Sequence, residues 1–544
     1  MSHLSHSDFL QILVCHQLEI YRLCCLYIKR LLKKLKLLFK ANIPLFFLLS
    51  FLIVFLYINS ITGKFLVDDI PGFVENPSVI NGIWSVETFR FQNLMYALIY
   101  KVFGLNNVIL HLISIAVHII NSILVFVFLF MLFGKRVAGI ATFLFAAHPV
   151  NSEKVSWISA NNYLFNGTLT LLILITYFLY RNSGRKTYYI TSLLIYILGL
   201  GFLGHQWIMI TPAFILIFDM YFLKNNMWKK FLYVLPFIIP TILYFFFYVN
   251  SNLINPRIEH VSFYNESRDL NIPWIMRAPY SIYTSVKLLV YPSNLSIYHE
   301  VDPQEQNLQT AQLLSLIIIS IIIFLFFYNR KMSLLMFLIY VSLIPVFAPQ
   351  MVTWVTAERY LYLAVVFYSV IITKIILGVS DKFDLKKLPL ISTLSLLILY
   401  SYIVITRNND WQSEKSLWAS TVNKTPFPEK VYNNLGETYY KENDFPNAAL
   451  NFSNAIKINP IYSFAYHNLA RVYLVQKNYE LAELGFKKAT DLNPTLYQAW
   501  FGLATIEVQK NDYAKAVEYL NMTLEVKPDY EKAINLLSKL NPSQ

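Results

Sequence analysis

The sequence predicts an all-α protein in which a polytopic bundle of membrane helices is followed by an α-solenoid of helical repeats. The chain of 544 residues is 56% hydrophobic and 14% charged, whereas about a quarter of the residues in a soluble protein are charged. After about residue 407 the composition changes to that of a soluble domain, and prolines recur there every 34 residues. The first observation predicts the bundle, and the second predicts the solenoid.

Residues 1–42 form a basic N-terminal segment. The stretch YIKRLLKKLKLLFK predicts an amphipathic helix on a membrane surface. Gln17, Glu19 and Arg22 interrupt the apolar run before it, and no small-residue cleavage site follows. We therefore do not expect a signal peptide. All three cysteines lie in this segment, so no structural disulfide is expected in the rest of the chain.

Residues 43–407 contain the apolar runs that predict about eleven membrane spans, each near the roughly 20 residues that a span requires. The longer runs lie near residues 43–62, 108–132, 161–180, 187–203, 206–223, 230–249, 311–328, 357–378 and 388–406, and two shorter ones lie near 137–148 and 332–347.

Basic clusters between the runs orient this bundle. The basic residues from Lys29 to Lys40 predict a cytoplasmic N-terminus, and further clusters fall in alternate loops, as cytoplasmic loops require. These clusters are Lys135–Arg136, Arg181/Arg185/Lys186, Lys224/Lys229/Lys230, Arg330–Lys331 and Lys382/Lys386/Lys387. They account for much of the net charge of +13, so no nucleic-acid partner is expected. An odd number of spans places the C-terminal repeats on the non-cytoplasmic side.

Residues 408–544 match the tetratricopeptide pattern. Small residues recur where paired helices touch, and large residues recur where neighbouring repeats stack. The prolines that close the repeats are Pro460, Pro494 and Pro528, and the repeats span about 429–462, 463–496 and 497–530. The third repeat is weaker, because Glu507 and Thr523 occupy positions that are usually apolar or small. Residues 411–424 and 530–540 are expected to cap the array.

Two adjacent acids, Asp68 and Asp69, are the strongest candidates for chemistry. An isolated acidic pair before Pro71 would more often be a solvated turn. This pair, however, follows the first apolar run by about six residues, a reach of at most about 20 Å. The acids can therefore lie at the depth of the lipid headgroups, where a substrate carried on a lipid tail presents its polar head.

Five further residues are candidates for binding. His148 and Glu153 lie in HPVNSEK, Glu358 and Arg359 in TAERYLYL, and Arg90 in the first outer loop. Arginine is suited to phosphate, because its guanidinium is planar and always charged. The simpler alternatives are an interfacial histidine with a snorkelling acid, a mutual ion pair between Glu358 and Arg359, and contact of Arg90 with headgroups.

Three polar residues lie within the second apolar run. His111 and His118 are seven residues apart and share one helix face with Asn121. Hydrogen bonding between helices is the favoured interpretation, ahead of ligand contact.

Metal and nucleotide motifs are not apparent in the sequence. The chain has no HExxH, no CxxC pair and no glycine-rich phosphate loop. No cofactor is therefore predicted with certainty, and a divalent metal stays open.

The acidic pair, HPVNSEKVSW, ERYLYL and the C-terminal repeats, in this order, resemble the transmembrane and tetratricopeptide repeat-containing O-mannosyltransferases and their bacterial relatives. That family belongs to the GT-C class of polytopic glycosyltransferases, and the resemblance covers nearly the whole chain from about residue 43. It implies inverting transfer of a sugar, with mannose expected, from a polyprenyl-phosphate carrier to a hydroxyl of an exported protein acceptor on the non-cytoplasmic face.

The resemblance also implies roles for particular residues. Asp68 corresponds to the catalytic acid, with Asp69 beside it. The family's HP…E stretch matches His148, Pro149 and Glu153, and its ERYLY matches Glu358 to Tyr362. Two departures are visible: Arg90-Phe91 stands where Arg-Pro is frequent, and residues 160–163 stand where Gly-Arg…Asp is frequent.

The proposed chemistry also follows from the residue types. A serine or threonine hydroxyl is a poor nucleophile, and a carboxylate that removes its proton assists attack on the anomeric carbon. Arg359 or Arg90 could stabilise the leaving phosphate.

A non-catalytic tetratricopeptide scaffold and a transporter are the alternative functions. An anchor needs one span rather than about eleven, which argues against the scaffold. The middle of the spans lacks charged residues, which are typical of transport pathways, outside the face that carries His111, His118 and Asn121. This argues against the transporter.

Overall fold

The computed structural model describes residues 40–82, 91–203, 206–222, 227–250, 274–297, 299, 305–347, 356–425 and 428–540. All regular elements in these ranges are helices. Arg90 and nearly all of the predicted amphipathic segment lie outside the described residues.

The membrane part contains fifteen helices within the described ranges. They are α1 (Lys40–Ser60), α2 (Pro77–Ile80), α3 (Phe91–Phe103), α4 (Asn107–Phe133), α5 (Lys135–Ala147), α6 (Ser152–Ser156), α7 (Asn161–Ser183), α8 (Lys186–Leu203), α9 (Thr211–Phe222), α10 (Met227–Asn250), α11 (Trp274–Val290), α12 (Glu305–Tyr328), α13 (Arg330–Ser342), α14 (Tyr362–Lys382) and α15 (Leu388–Asp410).

Every predicted apolar run falls on one of these helices or on a helix with an adjoining 3-10 turn. Within the part of the chain that the structure describes, six helical segments are long and apolar enough to cross a membrane: Lys40–Ser60, Asn107–Phe133, Ile158–Ser183, Gln309–Tyr328, Glu358–Lys382 and Leu388–Asp410. Two shorter apolar helices cover Trp207–Met220 and Lys230–Phe246. The chain is thus a membrane protein, and the full set of about eleven spans stays a prediction.

Helices α5 and α13 correspond to the two shorter runs. Each has 13 residues and is therefore about 20 Å long, less than the roughly 30 Å of a hydrocarbon core. Gly134 ends α4 and begins α5 with φ 80°, a backbone conformation that glycine adopts without strain. This turn lets α5 pack back along α4.

Polar side chains bond helices to one another inside the bundle. His118 Nδ1 lies 2.9 Å from the Tyr362 hydroxyl, and its Nε2 lies 3.1 Å from the carbonyl oxygen of Ala146. Asn121 donates to the Leu164 carbonyl at 2.8 Å and to the same tyrosine at 3.0 Å. These contacts confirm the interpretation of His118 and Asn121 as residues that connect helices.

The repeat part follows α15 directly. Its helices are α16 (Glu414–Thr421), α17 (Pro428–Lys441), α18 (Phe445–Ile458), α19 (Ser463–Val475), α20 (Tyr479–Leu492), α21 (Tyr497–Gln509), α22 (Tyr513–Val526) and α23 (Glu531–Leu540). Helices α17 to α22 form three antiparallel pairs, and α16 and α23 pack on their two ends as the predicted caps.

Small residues lie where paired repeat helices touch, as predicted. Within the pairs, a Cβ on Gly436 would lie 2.7 Å from the ring of Phe452, and one on Gly485 would lie 2.8 Å from the Cβ of Ala470. Between neighbouring repeats, a Cβ on Gly502 would lie 2.6 Å from the ring of Phe486. The two atypical positions of the third repeat are accommodated by polar contacts: buried Glu507 pairs with Lys510 at 3.2 Å, and the Thr523 hydroxyl donates to a backbone carbonyl of its own helix.

The ends of α1 and α15 meet beside the start of the repeat part. Asn408 donates to the Leu56 carbonyl at 2.8 Å, and Gln412 donates to the Asn59 carbonyl at 2.6 Å. The Lys64 N–H in turn donates to the Gln412 carbonyl at 3.0 Å. The loop that follows the first span is therefore fastened to the junction between the two parts of the chain.

Candidate functional site

The loop that carries the two acids has an unusual backbone. Val67, directly before them, has φ 44°, a region that β-branched residues rarely occupy because Cβ crowds the backbone. Its N–H donates to the carboxylate of Glu414 at 3.2 Å, so the first helix of the repeat part helps to hold this conformation. Strained residues of this kind occur frequently at functional sites.

Asp69 is buried, with 1% of its surface exposed. One carboxylate oxygen accepts the Leu66 N–H at 2.8 Å, and the other accepts the Ser159 N–H at 2.7 Å and the Ser159 hydroxyl. Burial raises the pKa of Asp69 to about 7. The hydrogen bonds from Ser159 and Leu66 lower this pKa, and the negative charge of Asp68 raises it by a smaller amount. The side chain therefore closes its own loop and binds that loop to residue 159.

Asp68, by contrast, is exposed. Its carbonyl accepts the Gly72 N–H at 3.0 Å as the chain enters a π-helical turn, Ile70–Val74. Two adjacent carboxylates thus have different environments, one inside the protein and one at its surface. Only the side chain of Asp68 is accessible to a substrate in this arrangement.

Glu153 and Arg359 form a buried ion pair. The guanidinium Nη1 donates to Glu153 Oε1 at 2.6 Å, and the backbone N–H of Arg359 donates to Oε2 at 2.6 Å. The indole ring of Trp157 lies 5.5 Å from the guanidinium carbon. The two sequence motifs that contain Glu153 and Arg359 are therefore joined through both carboxylate oxygens.

Glu358 has a separate set of partners. Its Oε1 accepts the Ser296 N–H at 2.6 Å and lies 3.3 Å from His299 Nε2 and 3.5 Å from Arg407 Nη2. The simpler interpretation of a mutual pair between Glu358 and Arg359 is thus wrong: the backbone of the 3-10 turn Glu358–Leu361 directs these neighbours to different sides.

Lys154 joins the same two motifs from the other direction. Its ammonium donates to the Val150 carbonyl at 2.8 Å and to the Glu358 carbonyl at 2.9 Å. Complete burial lowers its pKa to about 7, although the charges of Glu153 and Glu358 act to raise it. This side chain holds the ERYLYL turn against the HPVNSEK segment.

His148 is buried with both ring nitrogens occupied by the protein. Nδ1 accepts the Val150 N–H at 3.3 Å, so Nε2 carries the hydrogen and donates to the Leu289 carbonyl at 3.0 Å. The ring also contacts the rings of Tyr368 and Tyr400 edgewise or at a tilt. These contacts position α11 against the segment that follows α5, and a direct contact of His148 with a sugar donor stays a prediction.

The acidic loop and the ion pair are connected by one short segment. Glu153 at its start binds Arg359, and Ser159 at its end binds Asp69. The span of six residues limits the separation of these two anchors to at most about 20 Å. In the middle of the segment, Trp157 stacks on Trp411 at 5.5 Å between ring centroids. The predicted residues other than Arg90 are thus brought to one end of the bundle, beside the repeats.

Four residues of this region were not singled out by the sequence: Lys154, Ser159, His299 and Arg407. Lys154 offered a signal, because it follows Glu153 directly within the HPVNSEKVSW motif. Arg407 offered another, because it closes the last predicted span. Ser159 and His299 gave none, because their partners lie far away in the chain. Among the described residues, no group of three or more metal-binding side chains is found.

Comparison with known proteins supports the repeat part most directly. Residues 429–462, 465–496 and 497–530 match the tetratricopeptide repeat family. These ranges confirm the predicted repeats, with one boundary moved by two residues. The repeats indicate a protein–protein interaction.

A weak partial match links the chain to a glycosyltransferase. Over 104 residues it is 29% identical to the Protein O-mannosyl-transferase TMTC3 of Mus musculus, a stretch that covers 19% of this chain and 11% of the mouse protein. The chain thus spans about a tenth of the length of that relative. The match suggests the resemblance without establishing the family.

Two solved structures are also similar to the chain. One is the first tetratricopeptide domain of Spaghetti (RPAP3) bound to an HSP90 peptide, at 21% identity and TM-score 0.21, covering 21% of this chain and 94% of that one. The other is the APC/C hetero-tetramer Cut9–Hcn1, at 13% identity and TM-score 0.24, covering 84% of this chain and 91% of that one.

Proposed function

We propose that the chain is a membrane glycosyltransferase of GT-C type. It transfers a sugar, with mannose expected, from a polyprenyl-phosphate carrier to a hydroxyl group of a protein acceptor, with inversion at the anomeric carbon. The observation that carries the proposal is the division between the two acids: Asp68 is exposed, while buried Asp69 fixes the strained loop that presents it.

Asp68 acts in this proposal as the general base. Its carboxylate removes the proton from the acceptor hydroxyl as the oxygen attacks the anomeric carbon, and the bond from that carbon to the phosphate oxygen breaks. Asp69 is a positioning residue, since its oxygens are occupied by Leu66 and Ser159.

Arg359 is the proposed partner of the leaving phosphate. Glu153 accepts from one guanidinium nitrogen, and a guanidinium has five N–H donors, so the ion pair aligns the group and leaves donors for phosphate. Lysine at this position would keep the positive charge but could not donate the paired, bidentate hydrogen bonds of a guanidinium. Arg359→Lys is therefore expected to lower turnover more than it lowers donor affinity.

The proposed topology has about eleven spans, a cytoplasmic N-terminus and non-cytoplasmic repeats. The site region and the start of the repeats lie at the same end of the bundle, joined by the contact between Val67 and Glu414. The repeats would therefore hold an acceptor protein on the side where transfer occurs.

Purified full-length protein incubated with a panel of labelled polyprenyl-phosphate sugars and acceptor peptides tests this function. We expect transfer from polyprenyl-phosphate mannose to a serine or threonine hydroxyl. Removal of residues 426–544 should weaken transfer to proteins more than donor binding. Absence of transfer from every donor, with protein partners still captured by the repeats, would favour the scaffold instead.

A further inference from the structure

A cavity lies along α15 and borders the candidate site at Arg407, whose Nη2 lies 3.5 Å from Glu358 Oε1. It has a volume of about 500 Å³, which is within the range of small-molecule sites. Its α15 lining includes Leu396, Leu399, Ile403 and Arg407, spaced by three or four residues along one helix face. Asn408, next along the helix, faces α1 instead and binds the Leu56 carbonyl.

The cavity is amphipathic along its length. From Leu396 to Asp410 the α15 lining extends for about 21 Å. The first part is apolar and is completed by Tyr368 and Ile372 of α14, and the last part ends at Arg407 and Asp410. An extended ligand with an apolar tail and a polar head matches this profile.

The polar end of the cavity carries a net positive charge. Arg407 and Lys424 line it together with a single carboxylate, Asp410, which lies 2.7 Å from the guanidinium and 3.3 Å from the ammonium. Glu358 lies behind Arg407, 3.5 Å from Nη2, is wholly buried and does not line the cavity. The lining residues thus have an excess of one positive charge.

Arg407 has one donor without an acceptor. Its Nη1 donates to Asp410 and its Nη2 lies 3.5 Å from Glu358 Oε1, whereas its buried Nε has no hydrogen-bond acceptor. Such buried donors cost free energy unless an acceptor oxygen reaches them. A phosphate oxygen is a suitable acceptor for this charged N–H donor.

We propose that this cavity binds an anionic phospholipid of the surrounding bilayer, with one acyl chain along α15 and the phosphate at Arg407 and Lys424. A phosphodiester carries one negative charge and so complements the single excess positive charge, whereas a phosphate monoester carries about −1.5 to −2. Basic pockets between membrane helices are suited to lipid headgroups. The inference does not depend on the proposed transferase activity.

Binding of short-chain lipids to the detergent-solubilised full chain, measured by thermophoresis, tests the proposal. Phosphatidylglycerol should bind at least about fivefold more tightly than phosphatidylcholine, because one unbalanced charge is worth about that factor. Lys424→Gln should weaken phosphatidylglycerol binding by about fivefold.

A steric variant with a matched control locates the site. Leu399 lines the cavity and is 51% exposed, while Leu394 is 49% exposed on the same helix and is not a lining residue. Leu399→Trp should fill the cavity and weaken phosphatidylglycerol binding by about tenfold or more, whereas Leu394→Trp should leave it within about twofold. If Leu399→Trp does not fold, the proposal is tested by the affinity of Lys424→Gln for phosphatidylglycerol and by the comparison of phosphatidylglycerol with phosphatidylcholine.

Three results would overturn the proposal. One is equal affinity for phosphatidylglycerol and phosphatidylcholine, and another is equal binding by the Leu399→Trp and Leu394→Trp variants. The third is tighter, competitive binding of a polyprenyl-phosphate sugar, which is also a phosphodiester, or of polyprenyl phosphate at the same site, which would assign the cavity to the sugar carrier.

Discussion

The carboxylate of Asp69 accepts two hydrogen bonds from Ser159, one from the backbone N–H at 2.7 Å and one from the side-chain hydroxyl. The two residues are 90 positions apart, so this contact fixes the loop after the first span to the segment that carries Glu153. The environment of exposed Asp68 depends on it.

The raised pKa of Asp69 predicts a pH dependence of stability. Its pKa is about 7 in the folded protein and 3.8 ordinarily, so the folded state binds the proton more tightly. The stabilising contribution of this group to the free energy of unfolding is complete below about pH 4 and is lost as the pH rises through about 7. The change is on the order of 4 kcal/mol.

Thermal unfolding of the solubilised protein at about pH 5 and pH 8 measures this effect. We expect the wild type to lose more stability over this interval than Asp69→Asn, which cannot titrate. The asparagine variant should also be less stable at about pH 5 by about 1–3 kcal/mol, because its amide group cannot accept all three hydrogen bonds. Parallel pH profiles for the two proteins would disprove the assignment.

The ion pair between Glu153 and Arg359 should contribute strongly to stability. Both groups are buried, so Glu153→Gln leaves a buried cation without its carboxylate, at a cost of about 3–5 kcal/mol. The exposed pair of Arg136 and Asp381, at 3.2 Å, is the control, and Arg136→Gln should cost less than about 1 kcal/mol. Similar melting temperatures for the two variants would show that the buried pair is not needed for folding.

The contact between Gly436 and Phe452 should limit substitution in the repeats. A methyl group would lie 2.7 Å from the ring, so Gly436→Ala should destabilise the array by about 1–3 kcal/mol. Gly378 in α14 has no atoms within 4 Å of an added Cβ, and Gly378→Ala should be neutral or slightly stabilising. Thermal unfolding of the solubilised protein compares both variants with the wild type, and equal melting temperatures for the two variants would contradict the packing argument.

The proposed topology gives a further expectation. Reporter fusions after Asn408 and within residues 181–186 should report opposite sides of the membrane, with the second in the cytoplasm. If both report the cytoplasm, the count of about eleven spans is wrong and the repeats do not share a compartment with the proposed acceptor.

The sequence predicts the helices and repeats well because both arise from local periodicity. The prolines at Pro460, Pro494 and Pro528 and the small residues between them are repeated at fixed spacing, so the three repeats and their caps could be located. The apolar runs likewise predict helix positions. They predict span number less securely, because a 13-residue helix such as α5 is shorter than the bilayer core.

The sequence predicts the partners within the site poorly. Glu358 and Arg359 are adjacent, and adjacency favoured a mutual pair, whereas their partners are Arg407 and Glu153. Those pairings depend on which way a short 3-10 turn directs successive side chains. The difference between Asp68 and Asp69 depends in the same way on the positive φ at Val67, which no sequence pattern indicates.

The turnover of Asp68→Asn protein tests the proposed function most directly. Asparagine retains the size of the side chain but cannot take a proton, so turnover should fall by roughly two to four orders of magnitude while donor binding is largely retained. Asp69→Asn should lower turnover less, because that residue acts through the loop. Near-normal turnover by Asp68→Asn, with donor binding unchanged, would contradict the assignment of Asp68 as the catalytic base.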